Sequence, residues 1–154
     1  MKRTILFVSV AVFTVDFFVK NYFRLNHAFK SIPVIKDIFH LTVVFNRGAA
    51  FGILQGKTLF LIIFSLILII LFGFFIWKEN EKRTIFLVSY GLIFGGALSN
   101  LYERIFLGFV VDYIDLRVWP VFNISDSCIT IGIGLIFFKT LFGSRKNEKN
   151  HNCS

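Results

Sequence analysis

Between Thr58 and Trp77 the chain runs for twenty residues without a charged side chain. As a helix rising about 1.5 Å per residue, this stretch matches the roughly 30 Å hydrocarbon core of a bilayer. In hydrocarbon every backbone N–H and C=O needs a protein partner, and a continuous helix supplies them within itself. The segment therefore predicts a membrane span. A second uncharged run, Thr84–Leu101, contains Gly95-Gly96, a pair that lets a neighbouring helix approach closely. The short charged stretch Lys78–Arg83 between the two runs makes them antiparallel.

Composition extends the reading to the whole chain. Of the 154 residues 56% are hydrophobic and only 17% charged, where a soluble domain is nearer half apolar and a quarter charged. A domain this small has too little interior to hide such an excess. Two further apolar runs each carry one carboxylate, Asp16 in the first and Asp126 in the last. The expected architecture is an all-α integral membrane protein, a single membrane domain over 1–154. Its spans cover 4–20, 58–77, 84–102 and 122–142, and its extracytoplasmic segments are 21–57 and 103–121. Residues 145–154 read as a flexible cytoplasmic tail.

Lys2 and Arg3 ahead of an apolar run would also suit a secretory signal. Asp16 and Lys20 stand where the small residues of a cleavage site would be, so the run is expected to be retained as the first span. Four spans put both termini on one side. With the termini inside, Lys2, Arg3, Lys78, Lys82, Arg83, Lys139, Arg145, Lys146 and Lys149 are cytoplasmic and eight Lys/Arg lie outside. The inner segments are much shorter, so their basic density is higher, and the positive-inside rule places both termini in the cytoplasm. The net charge of +8 falls at the ends of the apolar runs, which suits lipid headgroups rather than nucleic acid.

The two outer segments contain strand-like patterns. Phe39–Phe45 and Phe109–Ile114 are rich in β-branched and aromatic residues, and Asn46-Arg47-Gly48 reads as a turn. A small extracytoplasmic β-sheet would use both stretches. Cys128 reads as small packing and Cys153 as incidental, and His27, His40 and His151 are scattered without ligand spacing.

The chain has nine acidic residues, and Asp16, Glu103, Asp112, Asp115 and Asp126 gather near the outer ends of the spans. A charge at mid-span costs roughly 2.5–3.5 kcal/mol on insertion scales, so such residues are seldom idle. Several have a plain structural reading. Asp16 and Lys20 are four apart and would pair as an interfacial ion pair ending the helix. Asn100 and Arg104 would form a polar helix end. Asn123 with Asp126 three residues later has the spacing of a helix cap, with Pro120 just ahead. Asp112 is harder to explain, since it lies in an apolar stretch without a base nearby in sequence. Asp115, three residues on, would point to the opposite strand face. A loop of thirteen residues separates Asp112 from Asp126, enough for the two carboxylates to meet. Such a pair can share a proton, one carboxylate activating water while the other protonates a scissile carbonyl. A proton relay in a small transporter would also use membrane acids, but it would line a path across the bilayer, whereas these gather at one face.

These residues carry a family resemblance. Asn46-Arg47-Gly48-Ala49-Ala50-Phe51 resembles the N-x-G-A-A-F segment of bacterial lipoprotein signal peptidases. Gly95-Gly96-Ala97-Leu98-Ser99-Asn100-Leu101-Tyr102-Glu103-Arg104 is similar to the family's G-G-A-x-G-N-x-x-D-R. Val110-Val111-Asp112-Tyr113 resembles V-x-D-F/Y, Phe122-Asn123-Ile124-Ser125-Asp126-Ser127 resembles F-N-x-A-D-S, and Asp16 with Lys20 resembles D-x-x-x-K. The resemblance implies catalysis by Asp112 and Asp126, with supporting roles for Asp16, Lys20, Asn46, Gly48, Asn100, Arg104 and Asn123. It implies no metal or cofactor, a monomer in the bacterial inner membrane, and lipidated prolipoprotein signal peptides as substrates, cut before the diacylglyceryl-bearing cysteine. Three positions depart from the pattern: Glu103 stands where the family has Asp, Ser99 where it has Gly, and Ser125 where it has Ala. These leave open a relative that binds such peptides without cutting them.

Overall fold

The computed structural model describes residues 2–49 and 53–143. Ala50, Phe51, His151, Cys153 and the expected tail from Arg145 onward lie outside the described residues. Four helices and three strands follow in the order α1 (Lys2–Asn26), β1 (Ser31–Ile35), β2 (Phe39–Asn46), α2 (Thr58–Lys78), α3 (Thr84–Phe106), β3 (Val110–Asp115) and α4 (Ile124–Gly143). All four helices are long and apolar enough to cross a membrane. The connections place the C-terminal ends of α1 and α3, the N-terminal ends of α2 and α4, and the whole sheet at one end of the bundle.

Hydropathy and burial diverge between α2 and α3. α2 has by far the highest mean hydropathy, 3.3, yet only 11% of its span is buried inside the protein. α3, at 1.5, is 56% buried. Lipid solvates the most apolar helix, while the helix that packs against protein carries small and polar residues. α3 is the central element, with α1 and α4 on either side and α2 packed on it separately. The glycine pair explains how two neighbours fit so closely. A Cβ on Gly95 would sit 2.6 Å from the Ser9 carbonyl of α1, and one on Gly96 would sit 2.7 Å from the Ser125 carbonyl of α4.

The sheet is antiparallel in the order β1-β2-β3. β2 and β3 fall where the alternation predicts, within one residue at each boundary. β1 has no counterpart in the sequence reading. Pro33 interrupts its pattern, which an edge strand tolerates because one side of the strand needs no donors. Between Leu41 and Val44 the β2–β3 register shifts by one residue, a bulge. Val43, Val111 and Tyr113 form the buried core beneath the sheet, with Phe23 of α1 stacked on Tyr113 at 4.5 Å.

Helix α1 corrects one expectation. It continues from the expected end near Lys20 to Asn26, so Asp16 and Lys20 lie well inside a helix and do not form its interfacial end. Their side chains are 0% and 1% exposed, among the most buried in the molecule. α3 likewise runs on to Phe106, which places Asn100, Glu103 and Arg104 on helical turns at fixed angular spacing.

Candidate active site

Asp112 is carried by β3 and Asp126 by the first turn of α4. Both Asp112 oxygens accept hydrogen bonds. Asn46 Nδ2 donates to Oδ2 at 2.9 Å and Asn123 Nδ2 donates to Oδ1 at 2.7 Å. Neither amide is free to turn over, because its own oxygen is committed to a backbone donor. Asn46 Oδ1 accepts the Gly48 N–H at 2.9 Å, which closes the turn after β2. Asn123 Oδ1 accepts the Asp126 N–H at 2.9 Å, the helix cap that the sequence spacing predicts. The amide nitrogens must therefore face Asp112. A Cβ at Gly48 would lie 2.8 Å from the Ile53 carbonyl, so only glycine fits this turn.

Asp126 is held from the other side. Its Oδ1 accepts Asn100 Nδ2 at 2.8 Å. Asn100 Oδ1 in turn accepts Lys20 Nζ at 2.7 Å and Asn123 Nδ2 at 3.3 Å. The ammonium has only donors, so Asn100 presents its oxygen to Lys20 and its nitrogen to Asp126. Asn100 and Asn123 thus bridge the two carboxylates. Asp112, Asp126, Asn46 and Arg104 all line one cavity of about 490 Å³, with Trp119 and Phe122 among its apolar walls. Arg104 Nη2 donates to the Gly48 carbonyl at 3.3 Å, tying the turn after β2 to α3. Burial, together with the nearby charge of Asp126, pushes the Asp112 carboxyl up to about 7 despite its two amide donors. It is therefore partly protonated near neutrality.

Behind this cavity lies a second polar group. Lys20 Nζ pairs with Asp16 Oδ2 at 2.8 Å and with Glu103 Oε2 at 3.1 Å. Asp16 Oδ2 also accepts the hydroxyls of Ser99 and Ser125, each at 2.6 Å. Asp16 Oδ1 accepts the Ser125 N–H at 3.1 Å, and Glu103 Oε2 accepts the Val111 N–H at 2.9 Å. The three positions where the chain departs from the signal peptidase pattern, Ser99, Glu103 and Ser125, converge on this one buried cluster. Glu103 ties α3 to the strand that bears Asp112, its arm reaching the Val111 amide while keeping Lys20.

Asp16, Lys20, Asn46, Gly48, Asn100, Arg104 and Asn123 are thus linked to the two aspartates, directly or through one or two intermediates. Asp115 is not. It lies further along β3, away from the cavity, and binds Thr42 Oγ1 at 2.8 Å and Arg117 Nη1 at 3.2 Å. The three-residue spacing on β3 puts Asp112 and Asp115 on opposite faces, and the bulge in β2 lets Thr42 meet Asp115 while Asn46 meets Asp112. The sequence reading missed Ser99, Ser125 and Glu103 as partners of the Asp16–Lys20 pair. Those partners come from α3 and α4, so the four-residue spacing within α1 carried no signal for them.

Four membrane helices that hold a bridged carboxylate pair beneath a small sheet have the architecture of a membrane-embedded aspartic peptidase. The family model for signal peptidase (SPase) II matches residues 8–142. A lipoprotein signal peptidase of Halothermothrix orenii is 50% identical over 107 residues, covering 70% of this chain and 73% of that protein. One from Moorella thermoacetica is 39% identical over 138 residues, covering 88% and 91%. A solved bacterial membrane enzyme superposes with a TM-score of 0.81 at 35% identity, covering 90% of this chain and 87% of that one. The chain belongs to the signal peptidase II family, the aspartic peptidases that process lipoproteins.

Proposed function

We propose that this chain removes the signal peptide from diacylglyceryl-modified prolipoproteins, cutting before the lipidated cysteine, with Asp112 and Asp126 as its catalytic pair. One observation carries the assignment. Two carboxylates from separate elements line the same cavity and are bridged by Asn100 and Asn123. Burial keeps a proton on Asp112 near neutral pH, which suits the acid that protonates the scissile carbonyl. Asp126 lines the same cavity from the first turn of α4 and accepts Asn100 Nδ2, which leaves it as the partner that draws a proton from water. The roles exchange as the tetrahedral intermediate collapses and the leaving amine takes a proton.

The surroundings support a lipidated, helical substrate. An apolar furrow of about 380 Å³ runs between α2, α3 and α4, from Asn100 and Arg104 past Ile69, Ile93 and Ile129 to Ile133. A signal peptide helix lying there would bring its C-terminal end to the carboxylates. In this reading the site faces outward, both termini are cytoplasmic, and a single copy suffices, since one chain supplies every side chain named. The deciding experiment is incubation of the purified protein in detergent with a diacylglyceryl-modified prolipoprotein. A mass loss equal to the signal peptide is expected, with none from Asp126→Asn. An intact substrate after incubation with the native protein would overturn the reading.

A further inference from the structure

Each candidate catalytic aspartate is preceded by a residue whose backbone N–H is held by a buried carboxylate. Val111, just before Asp112, donates to Glu103 Oε2 at 2.9 Å. Ser125, just before Asp126, donates to Asp16 Oδ1 at 3.1 Å. Glu103 and Asp16 come from different helices, α3 and α1, and meet on one ammonium, Lys20 Nζ, at 3.1 and 2.8 Å. The third Lys20 contact is Asn100 Oδ1 at 2.7 Å, and Asn100 passes its amide nitrogen to Asp126. Lys20 is only 1% exposed and lies behind the cavity lining.

We propose that Lys20 is a positioning residue, the common clamp that sets the spacing and orientation of Asp112 and Asp126. This deepens the catalytic assignment above and rests on it. Its first two arms fix the backbone immediately ahead of each aspartate. Its third arm decides which way Asn100 faces. Without the ammonium, Asn100 Oδ1 keeps only the long contact from Asn123 Nδ2 at 3.3 Å, and the amide that donates to Asp126 is free to swing. The serine hydroxyls of Ser99 and Ser125 carry part of the Asp16 charge, which leaves the ammonium free to hold Glu103 and Asn100 as well. A displacement of about 1 Å at a reacting group is enough for a loss of about 100-fold in rate.

Removing Lys20 alone would strand two buried carboxylates and threaten insertion. The test therefore holds the buried charge constant. The cluster carries one positive and two negative groups, and Lys20→Met with Glu103→Gln keeps its net charge at minus one, while Gln still offers an oxygen to the Val111 amide. Against the native protein, whose cluster carries the same net charge, the Lys20→Met/Glu103→Gln pair is expected to lower kcat about 100-fold with KM changed less than about threefold. With Asn100→Ala already present, the same pair should cost less than about threefold more, because residues acting through one another are not additive. Equal losses with and without the Asn100→Ala substitution, or a loss carried by KM, would overturn the proposal. So would failure of the charge-matched Lys20→Met protein to insert and melt cooperatively, since that would make Lys20 a requirement of the fold. Asp126→Asn is assayed alongside. If it still cleaves, the catalytic assignment has failed; if it is dead while the Lys20 effects are additive, only the clamp has failed.

Discussion

Asn123 Nδ2 lies 2.7 Å from Asp112 Oδ1, and the opposite end of the same side chain caps the helix whose first turn carries Asp126. One amide thus couples the start of α4 to the carboxylate on β3. The two tasks separate by substitution. Asn123→Ser retains an N-cap oxygen but gives up the donor to Asp112. It is expected to cost well under about 1 kcal/mol of stability, since Ser and Asn cap about equally well, while cleavage falls at least about tenfold. Asn123→Ala loses both, with about 1 kcal/mol of stability gone as well. Thermal melts in detergent beside single-turnover cleavage measure the split. Equal activity of the Ser variant and the native protein would contradict the coupling.

The carboxylate pair makes its own prediction. Asp112→Asn and Asp126→Asn should each abolish cleavage, and the double variant should be no worse than either single one, as expected for groups that act as a unit. Asp115→Asn should keep most activity, because Asp115 faces Thr42 and Arg117 across the bulge and not the cavity. Mass spectrometry of the product reads all four. A dead Asp115→Asn protein beside an active Asp112→Asn protein would reverse the assignment.

Much of this was legible in the chain itself, for reasons that differ by element. The uncharged run Thr58–Trp77 announces α2 because backbone hydrogen bonding in lipid leaves no alternative to a helix. The Asn123–Asp126 spacing announces its cap because the interaction is local in sequence. Asp16 and Lys20 were harder to place. Their spacing shows that they pair but gives no depth, and the partners that bury them, Ser99, Asn100, Glu103 and Ser125, come from α3 and α4. β1 was missed because the pairing that makes it a strand lies in β2, while its own pattern is broken by Pro33. The β2 bulge had no sequence signal, although the three-residue spacing on β3 already puts Asp112 and Asp115 on opposite faces.

Orientation in the membrane is tested by accessibility. Lys36 lies in the exposed turn between β1 and β2, and Asn80 is exposed in the connection between α2 and α3 at the opposite end of the bundle. With Cys128 and Cys153 replaced, Lys36→Cys should react with an impermeant thiol reagent from outside the cell. Asn80→Cys should react only after the membrane is opened. The basic residues around Asn80, namely Lys78, Lys82 and Arg83, motivate the assignment through the positive-inside rule. The reverse labelling pattern would put the carboxylates on the cytoplasmic face and remove the basis for an outward-facing peptidase.

The pH dependence follows from Asp112, whose carboxyl moves from an ordinary 3.8 up to about 7, chiefly through burial and then through the charge of Asp126. The folded protein holds this proton more tightly than the unfolded chain. Below about pH 4 both states are protonated and burial carries no penalty. Between pH 4 and 7 the unfolded chain ionises while the folded one does not, so stability falls as the pH rises, and above pH 7 the full penalty applies. At about 1.36 kcal/mol per unit, the ceiling is on the order of 4 kcal/mol. The melting temperature should therefore drop between pH 5 and pH 8, and drop less in Asp112→Asn, which has no charge to bury. Activity should decline over the same alkaline range, because an Asp112 that has lost its proton cannot deliver one to the scissile carbonyl. Melting curves and initial rates from pH 5 to 9 on the same preparations test both. A rate that keeps rising past pH 8 would exclude Asp112 as the acid, and an equal pH response of the two melting temperatures would show that its carboxyl titrates near its ordinary value.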